Sequence, residues 1–204
     1  MLGTGNKIND IKYGVGMLNY INYIKKYLEL EKNTLDKLNL EEINEAMNAL
    51  KSARERSANI YIFGNGGSAA TASHFVCDFN KGANLLGQPR FRFQCLSDNT
   101  PIITAISNDI AYEDIFVYQL NQILKKEDLI IAISGSGNSK NIVKALQYAK
   151  EIGTEIIGIT GYSGGEVRKL ADYHLHVPLD DMQIAEDIHM IFDHMIMKIF
   201  CYTE

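Results

Sequence analysis

The stretch NIYIFGNGGSAATASHF, residues 59–75, joins an apolar run, a turn with three glycines and an alanine-rich segment without a break. Ile60, Tyr61, Ile62 and Phe63 are apolar at successive positions with no polar alternation, the pattern of a strand covered on both faces. In the turn, Gly64, Gly66 and Gly67 let the backbone approach a ligand closely, and Ser68 adds a hydroxyl to the free N–H groups of a helix start. An anion is expected there. LIIAISGSGNSKNIVKAL, residues 129–146, repeats the arrangement, with Ser134, Ser136 and Ser139 set around Gly135 and Gly137. Hydroxyls and backbone N–H groups so placed form a second cup suited to a phosphate monoester.

Outward from these two stretches lie three more short apolar runs, FRFQCL (91–96), EIIGIT (155–160) and YHLHV (173–177). Helical spacing over 68–81, 100–107, 113–125, 138–151, 164–171 and 182–201 separates or follows the runs. This alternation predicts an α/β fold, a doubly wound three-layer sandwich of flavodoxin-like type with a mainly parallel five-stranded sheet. Ligands on such sheets bind beyond the carboxyl ends of the strands. Before the first strand, Leu18, Ile21, Ile24 and Leu28, then Ile43, Met47, Leu50 and Ala53, predict two amphipathic helices. The expected division is an N-terminal helical extension over 1–57 and the main domain over 58–204, one compact unit overall.

Composition narrows the function classes. A chain of 204 residues that is 46% hydrophobic and 22% charged is an ordinary globular one, and a net charge of -5 without a basic stripe gives nucleic acid no footprint. No run approaches the roughly 20 apolar residues of a membrane span, and MLGTGNKINDIKYG lacks the profile of a signal peptide. Cys77, Cys95 and Cys201 have no C-x-x-C spacing and are expected to be buried small hydrophobes in a reducing, cytoplasmic setting. The first turn also satisfies G-x-G-x-x-A, with Asp98 the nearest acidic partner for a ribose. A dinucleotide fold has no need of the second serine cup, however, and no G-K-[ST] follows, so no nucleotide cofactor is expected.

His74 and Asp78 are four apart on the helix after the first turn and share a face. In MQIAEDIHMIFDH, residues 182–194, Glu186 and His194 stand about 80° apart around a helix and two turns along it. Their apolar surroundings call for a special explanation of charge. His189, about 140° from His194, is expected outside that site. His174 and His176 are expected to pack within their strand.

GNGGS ahead of a helix bearing His74, SND at 107–109 and SGSGNS at 134–139 together resemble the sugar isomerase (SIS) domain, and within it the bacterial phosphoheptose isomerases, over residues 14–200. The resemblance implies an SIS-type fold and an aldose–ketose isomerase that converts sedoheptulose 7-phosphate to D-glycero-D-manno-heptose 7-phosphate through an enediol, for heptose and surface polysaccharide synthesis. It implies Asp78 as general base and His194 as partner acid. A divalent metal, zinc in most members, would lie among His74, Asp78, Glu186 and His194. Asn65, Gly66, Gly67, Asn108, Asp109 and Glu186 would face the sugar, and Ser68, Ser134, Gly135, Ser136 and Ser139 would hold its phosphate. SND reads equally as a capping turn. A homotetramer is implied, with active sites at subunit interfaces and the N-terminal and last helices buried between subunits. The chain has Asp78 where most members have glutamate and Glu186 where they have glutamine. Alternatives are a single-SIS isomerase of a hexulose or pentulose phosphate, or a non-catalytic SIS protein that senses sugar phosphate or binds a protein partner.

Overall fold

The computed structural model describes residues 18–83, 89–121 and 123–203. In chain order the elements are α1 (Ile21–Leu35), α2 (Leu40–Glu55), β1 (Ile60–Gly64), α3 (Gly67–Cys77), β2 (Phe93–Cys95), α4 (Thr100–Asp109), α5 (Val117–Leu120), β3 (Leu129–Ser134), α6 (Lys140–Ile152), β4 (Glu155–Thr160), α7 (Gly165–Leu170), β5 (Tyr173–His176) and α8 (Met182–Thr203). The five strands pair in parallel in the order β2-β1-β3-β4-β5. From β1 the chain moves outward to β2 on one side and through β3, β4 and β5 on the other. The reversal of winding lies between β1 and β3, which puts a ligand crevice at their carboxyl ends.

Successive side chains of a strand point to opposite faces, so each strand feeds two cores. Ile60, Ile62, Leu129, Ile131, Ile157 and Ile159 pack under α2, α3 and α8, while Tyr61, Phe63, Ile130, Ala132 and Ile156 pack under α4, α5, α6 and α7. The three layers follow from near-continuous apolar strands. α2 is part of the first core through Ile43, Ala46, Leu50 and Ala53, so the helical extension is packed as one unit with the sheet. α1 has only Thr34 buried and leaves Tyr23, Ile24 and Leu28 more than half exposed, as is Leu18 just ahead of it. Residues 1–17, the start of the expected extension, lie outside the described residues.

Three local expectations are corrected. The helix expected over 113–125 is a 3₁₀ turn at Tyr112–Asp114 and the short α5, because Ile115, Phe116 and Leu120 all turn into the second core. The strand expected over 91–96 pairs only across Phe93–Cys95. The helix expected over 68–81 closes as an α-helix at Cys77 and widens into a π turn over Asp78–Gly82, where the Ala83 N–H donates to the Asp78 carbonyl. Among the described residues, no helix is long and apolar enough to cross a membrane.

Candidate active site

The first expected turn leaves the carboxyl end of β1. A Cβ on Gly64 would lie 2.7 Å from the Ser68 backbone, so the turn closes only with glycine there. Ser97, just past β2, ties off the strand end by accepting from the Gly64 N–H at 3.2 Å and donating to its carbonyl at 2.9 Å. Asn65 and Asn141 form a reciprocal amide pair, each Nδ2 donating to the other's Oδ1 at 2.9 Å, and Tyr112 donates its hydroxyl to Asn65 Oδ1 at 2.8 Å. Asn141 is buried in the first turn of α6, so this pair welds the first loop to the second. Sequence reasoning missed Asn141, which lies beyond the serine motif.

The second turn leaves β3. Ser134 Oγ accepts from the Gly137 N–H at 3.2 Å and lies 3.4 Å from Ser139 Oγ, while Ser136 Oγ accepts from the Asn138 N–H at 3.3 Å. Gly137 has φ +68°, and a Cβ on it would fall 1.9 Å from the Gly164 carbonyl. The two loops meet in a cleft of about 120 Å³ lined by Asn65, Ser68, Ser134, Gly135, Ser136, Ser139, Met182 and Glu186. Two helix starts and four hydroxyls thus address one small space.

Glu186 enters the cleft from α8: a Cβ built on Gly67 would lie 2.8 Å from Glu186 Oε2. Seven residues further along each helix, α3 and α8 meet again through His74, Asp78, Asp193 and His194. His74 Nε2 lies 3.0 Å from His194 Nε2, 3.6 Å from Asp78 Oδ2 and 3.9 Å from Asp193 Oδ2, and His194 Nε2 lies 3.9 Å from Asp78 Oδ2. Asp193 is fully buried, Asp78 mostly so, and the two histidines are about half exposed. Burial, and then the nearby Asp78 carboxylate, push the Asp193 carboxyl up to about 7.

The donor set fits a divalent metal. One ligand atom from each of the four residues lies within 4.8 Å of all the others, and ligand atoms around a tetrahedral zinc stand about 3.3 Å apart. Neither oxygen of Asp193 has a hydrogen-bond partner among the described residues, and a bare buried carboxylate is costly unless a cation meets it. Of the residues expected to ligate, His74, Asp78 and His194 are brought together; Glu186 is not in the group, and Asp193 is. Sequence reasoning passed over Asp193, although it stands seven residues after Glu186 and next to His194 in an apolar stretch.

Asn108 and Asp109 close α4 rather than sit in a loop between helices; Asn108 Nδ2 donates to Asp109 Oδ1 at 2.7 Å, and both are exposed away from the cleft lining. Gly66 supplies the positive φ of +55° just ahead of α3. Against the expectation that all three cysteines are buried, Cys77 is exposed and Cys95 and Cys201 are half-buried. His189 is buried beside Phe192, away from the histidine–aspartate group, and His176 Nδ1 is 3.0 Å from Thr160 Oγ1.

Residues 19–161 match the family model described as the SIS domain. A probable phosphoheptose isomerase of Thermoplasma acidophilum is 38% identical over 172 residues, 84% of this chain and 94% of that protein. A phosphoheptose isomerase of Helicobacter pylori is 36% identical over 168 residues, 82% of this chain and 86% of that one. The chain belongs to the phosphoheptose isomerase family of SIS-domain proteins. The solved phosphoheptose isomerase of Neisseria gonorrhoeae shares the fold, with a TM-score of 0.81 at 24% identity over 89% of this chain and 98% of that one.

Proposed function

We propose that the protein is an aldose–ketose isomerase converting sedoheptulose 7-phosphate to D-glycero-D-manno-heptose 7-phosphate. The observation that carries this reading is the double contact of α3 with α8. The helices meet first at Gly67 and Glu186, beside the serine cleft, and again at His74 and Asp193, seven residues on in each. Seven residues of helix span about 10 Å. The eight bonds from carbon 1 of a heptose 7-phosphate to its phosphorus, extended at about 1.2 Å per bond, also span about 10 Å. A heptose phosphate held in the cleft therefore brings carbons 1 and 2 to the histidine–aspartate group.

The reaction breaks a C–H bond at carbon 1, forms one at carbon 2 and moves a proton from the oxygen of carbon 1 to that of carbon 2. It needs a base for the carbon-bound proton and a group to manage the oxygens. Asp78, the more accessible carboxylate of the two, is the base, and His194, more than half exposed, serves the oxygens. Ser68, Ser134, Ser136, Ser139 and the Gly135 backbone hold the phosphate; Asn65, Gly66, Gly67 and Glu186 face the sugar chain, while Asn108 and Asp109 stand exposed at the end of α4, outside the cleft lining. His74, Asp78, Asp193 and His194 are the residues that would hold a divalent ion, and two imidazoles with two carboxylates suit zinc. Such an ion, when bound, polarises carbonyl and hydroxyl oxygens.

The exposed apolar side chains of α1, Tyr23, Ile24 and Leu28 among them, with Leu18 just before it, support a homotetramer with active sites at subunit interfaces. The apolar run of α8 supports it less, because Ile188, Phe192, Ile196 and Phe200 are used in the chain's own core. Free thiols suit the cytoplasm, and the product suits the supply of activated heptose to a surface polysaccharide. The readings as a non-catalytic sensor or a hexulose or pentulose phosphate isomerase are not favoured, given a complete acid–base group and a two-turn spacing that matches seven carbons. The test is a panel of five-, six- and seven-carbon ketose phosphates: this account expects sedoheptulose 7-phosphate to give the highest kcat/KM, and a shorter substrate that exceeds it contradicts the account.

A further inference from the structure

We infer that Asp193 is the buried anionic ligand of this chain's metal site and that Glu186 is thereby left to the sugar, resting on the metal-assisted isomerase reading above. Three observations carry the division. Asp193 has both carboxylate oxygens without a hydrogen-bond partner among the described residues, although its side chain is fully buried. A buried carboxyl group in that condition either takes a proton or meets a cation, and Asp193 Oδ2 lies 3.9 Å from His74 Nε2 in a group whose four ligand atoms all stand within 4.8 Å of one another. Two carboxylates and two neutral imidazoles together balance the charge of one divalent ion.

Glu186 faces a different space. Its carboxylate lies against Gly67 at the start of α3 and lines the serine cleft, two helical turns before Asp193. A heptose chain running from the cleft to the histidine–aspartate group starts beside Glu186, where a carboxylate accepts from the sugar hydroxyls next to the phosphate. Asp78 is then the carboxylate that faces both the ion and the substrate, and Asp193 closes the ion's buried side.

The experiment compares wild-type protein with Asp193→Asn and Glu186→Gln, both close in shape to the originals. Zinc affinity is read by competition with a chromophoric chelator, and cobalt(II)-substituted protein is read by its visible absorption. Asp193→Asn is expected to weaken zinc by about 10- to 100-fold or more and to change the cobalt spectrum. Glu186→Gln is expected to hold zinc within about threefold, keep the cobalt spectrum and raise KM for the sugar phosphate. Circular dichroism and a thermal melt of the metal-free proteins verify folding; if metal-free Asp193→Asn is unfolded, Asp193→Ser is measured in its place against the same expectations. If Asp193→Asn binds zinc as wild type does while Glu186→Gln loses it, the inference is overturned and the isomerase reading stands. If wild-type protein binds neither ion yet isomerises sugar phosphate, the metal assignment falls with the inference; if it binds zinc but isomerises nothing, the isomerase reading fails alone.

Discussion

Asp78 is the residue on which the chemistry turns. It sits where α3 gives way to a π turn, a local widening often found at functional sites; its own N–H still donates to the His74 carbonyl one helical turn back, so its carboxylate stands 3.6 Å from His74 and partly open to solvent. Replacing Asp78 by Asn removes the proposed base and keeps the shape. Turnover should fall by about 10²- to 10⁴-fold, with inorganic phosphate binding by calorimetry unchanged because the serine cleft lies two turns away. Normal turnover in that variant would move the role of base to Glu186. At the other end of the proposed substrate path, Ser136→Ala would remove one of the hydroxyls assigned to the phosphate. It should weaken phosphate binding by roughly 1.5 to 3 kcal/mol, seen mainly in KM.

At the scale of elements, the loops are held by close packing more than by their own sequence. Gly137 needs its positive φ, and a Cβ there meets the Gly164 carbonyl at 1.9 Å, so Gly137→Ala should cost about 3 kcal/mol or more in urea unfolding and lose phosphate binding with it. The strands and most helices were legible in the sequence because continuous Ile and Leu runs and helical spacing both report burial, and that is what the sheet and α2, α6 and α8 use. The region 113–125 was not: its apolar side chains must reach one core from a path too short for a regular helix, and no local pattern records that path. The same difference applies to the site. Asn65, Ser68, Ser134 and Ser136 were legible because glycine-rich turns announce themselves, and His74 with Asp78 because four residues make one turn. Asp193 was obscured by its apolar neighbours, and the place of Glu186 depends on how α8 lies against α3, which spacing within one helix does not give.

The whole molecule adds pH and assembly. Burial holds His176 and His189 neutral, with their protonation pushed down to about 4. In the unfolded chain both titrate near about 6.5, so between about 6.5 and 4 the unfolded state binds more protons and stability is lost as pH falls. Asp193 acts in the opposite sense, because its carboxyl, pushed up to about 7 in the fold, takes up a proton as pH falls. Chelator-treated protein should therefore show a urea midpoint constant above about pH 8 and, below about 6.5, a net decline of roughly 1.4 kcal/mol per pH unit, two histidine protons less one aspartate proton. A midpoint flat down to pH 4.5 would mean that these rings are charged in the folded state. For assembly, Ile24→Glu together with Leu28→Glu places charge on the exposed face of α1, and light scattering should show the oligomer dissociating with loss of activity.

Residue, element and molecule meet in one claim: a proton passes between carbons 1 and 2 of a seven-carbon sugar phosphate through an enediol held beside Asp78. Incubation of the metal-loaded protein with sedoheptulose 7-phosphate in deuterated water tests it, with the product read by mass spectrometry and NMR. The account predicts deuterium at carbon 2 of the heptose 7-phosphate product, dependent on Asp78. Product that forms with carbon 2 wholly protonated even at long times and low enzyme, or no product from any ketose phosphate, would contradict it.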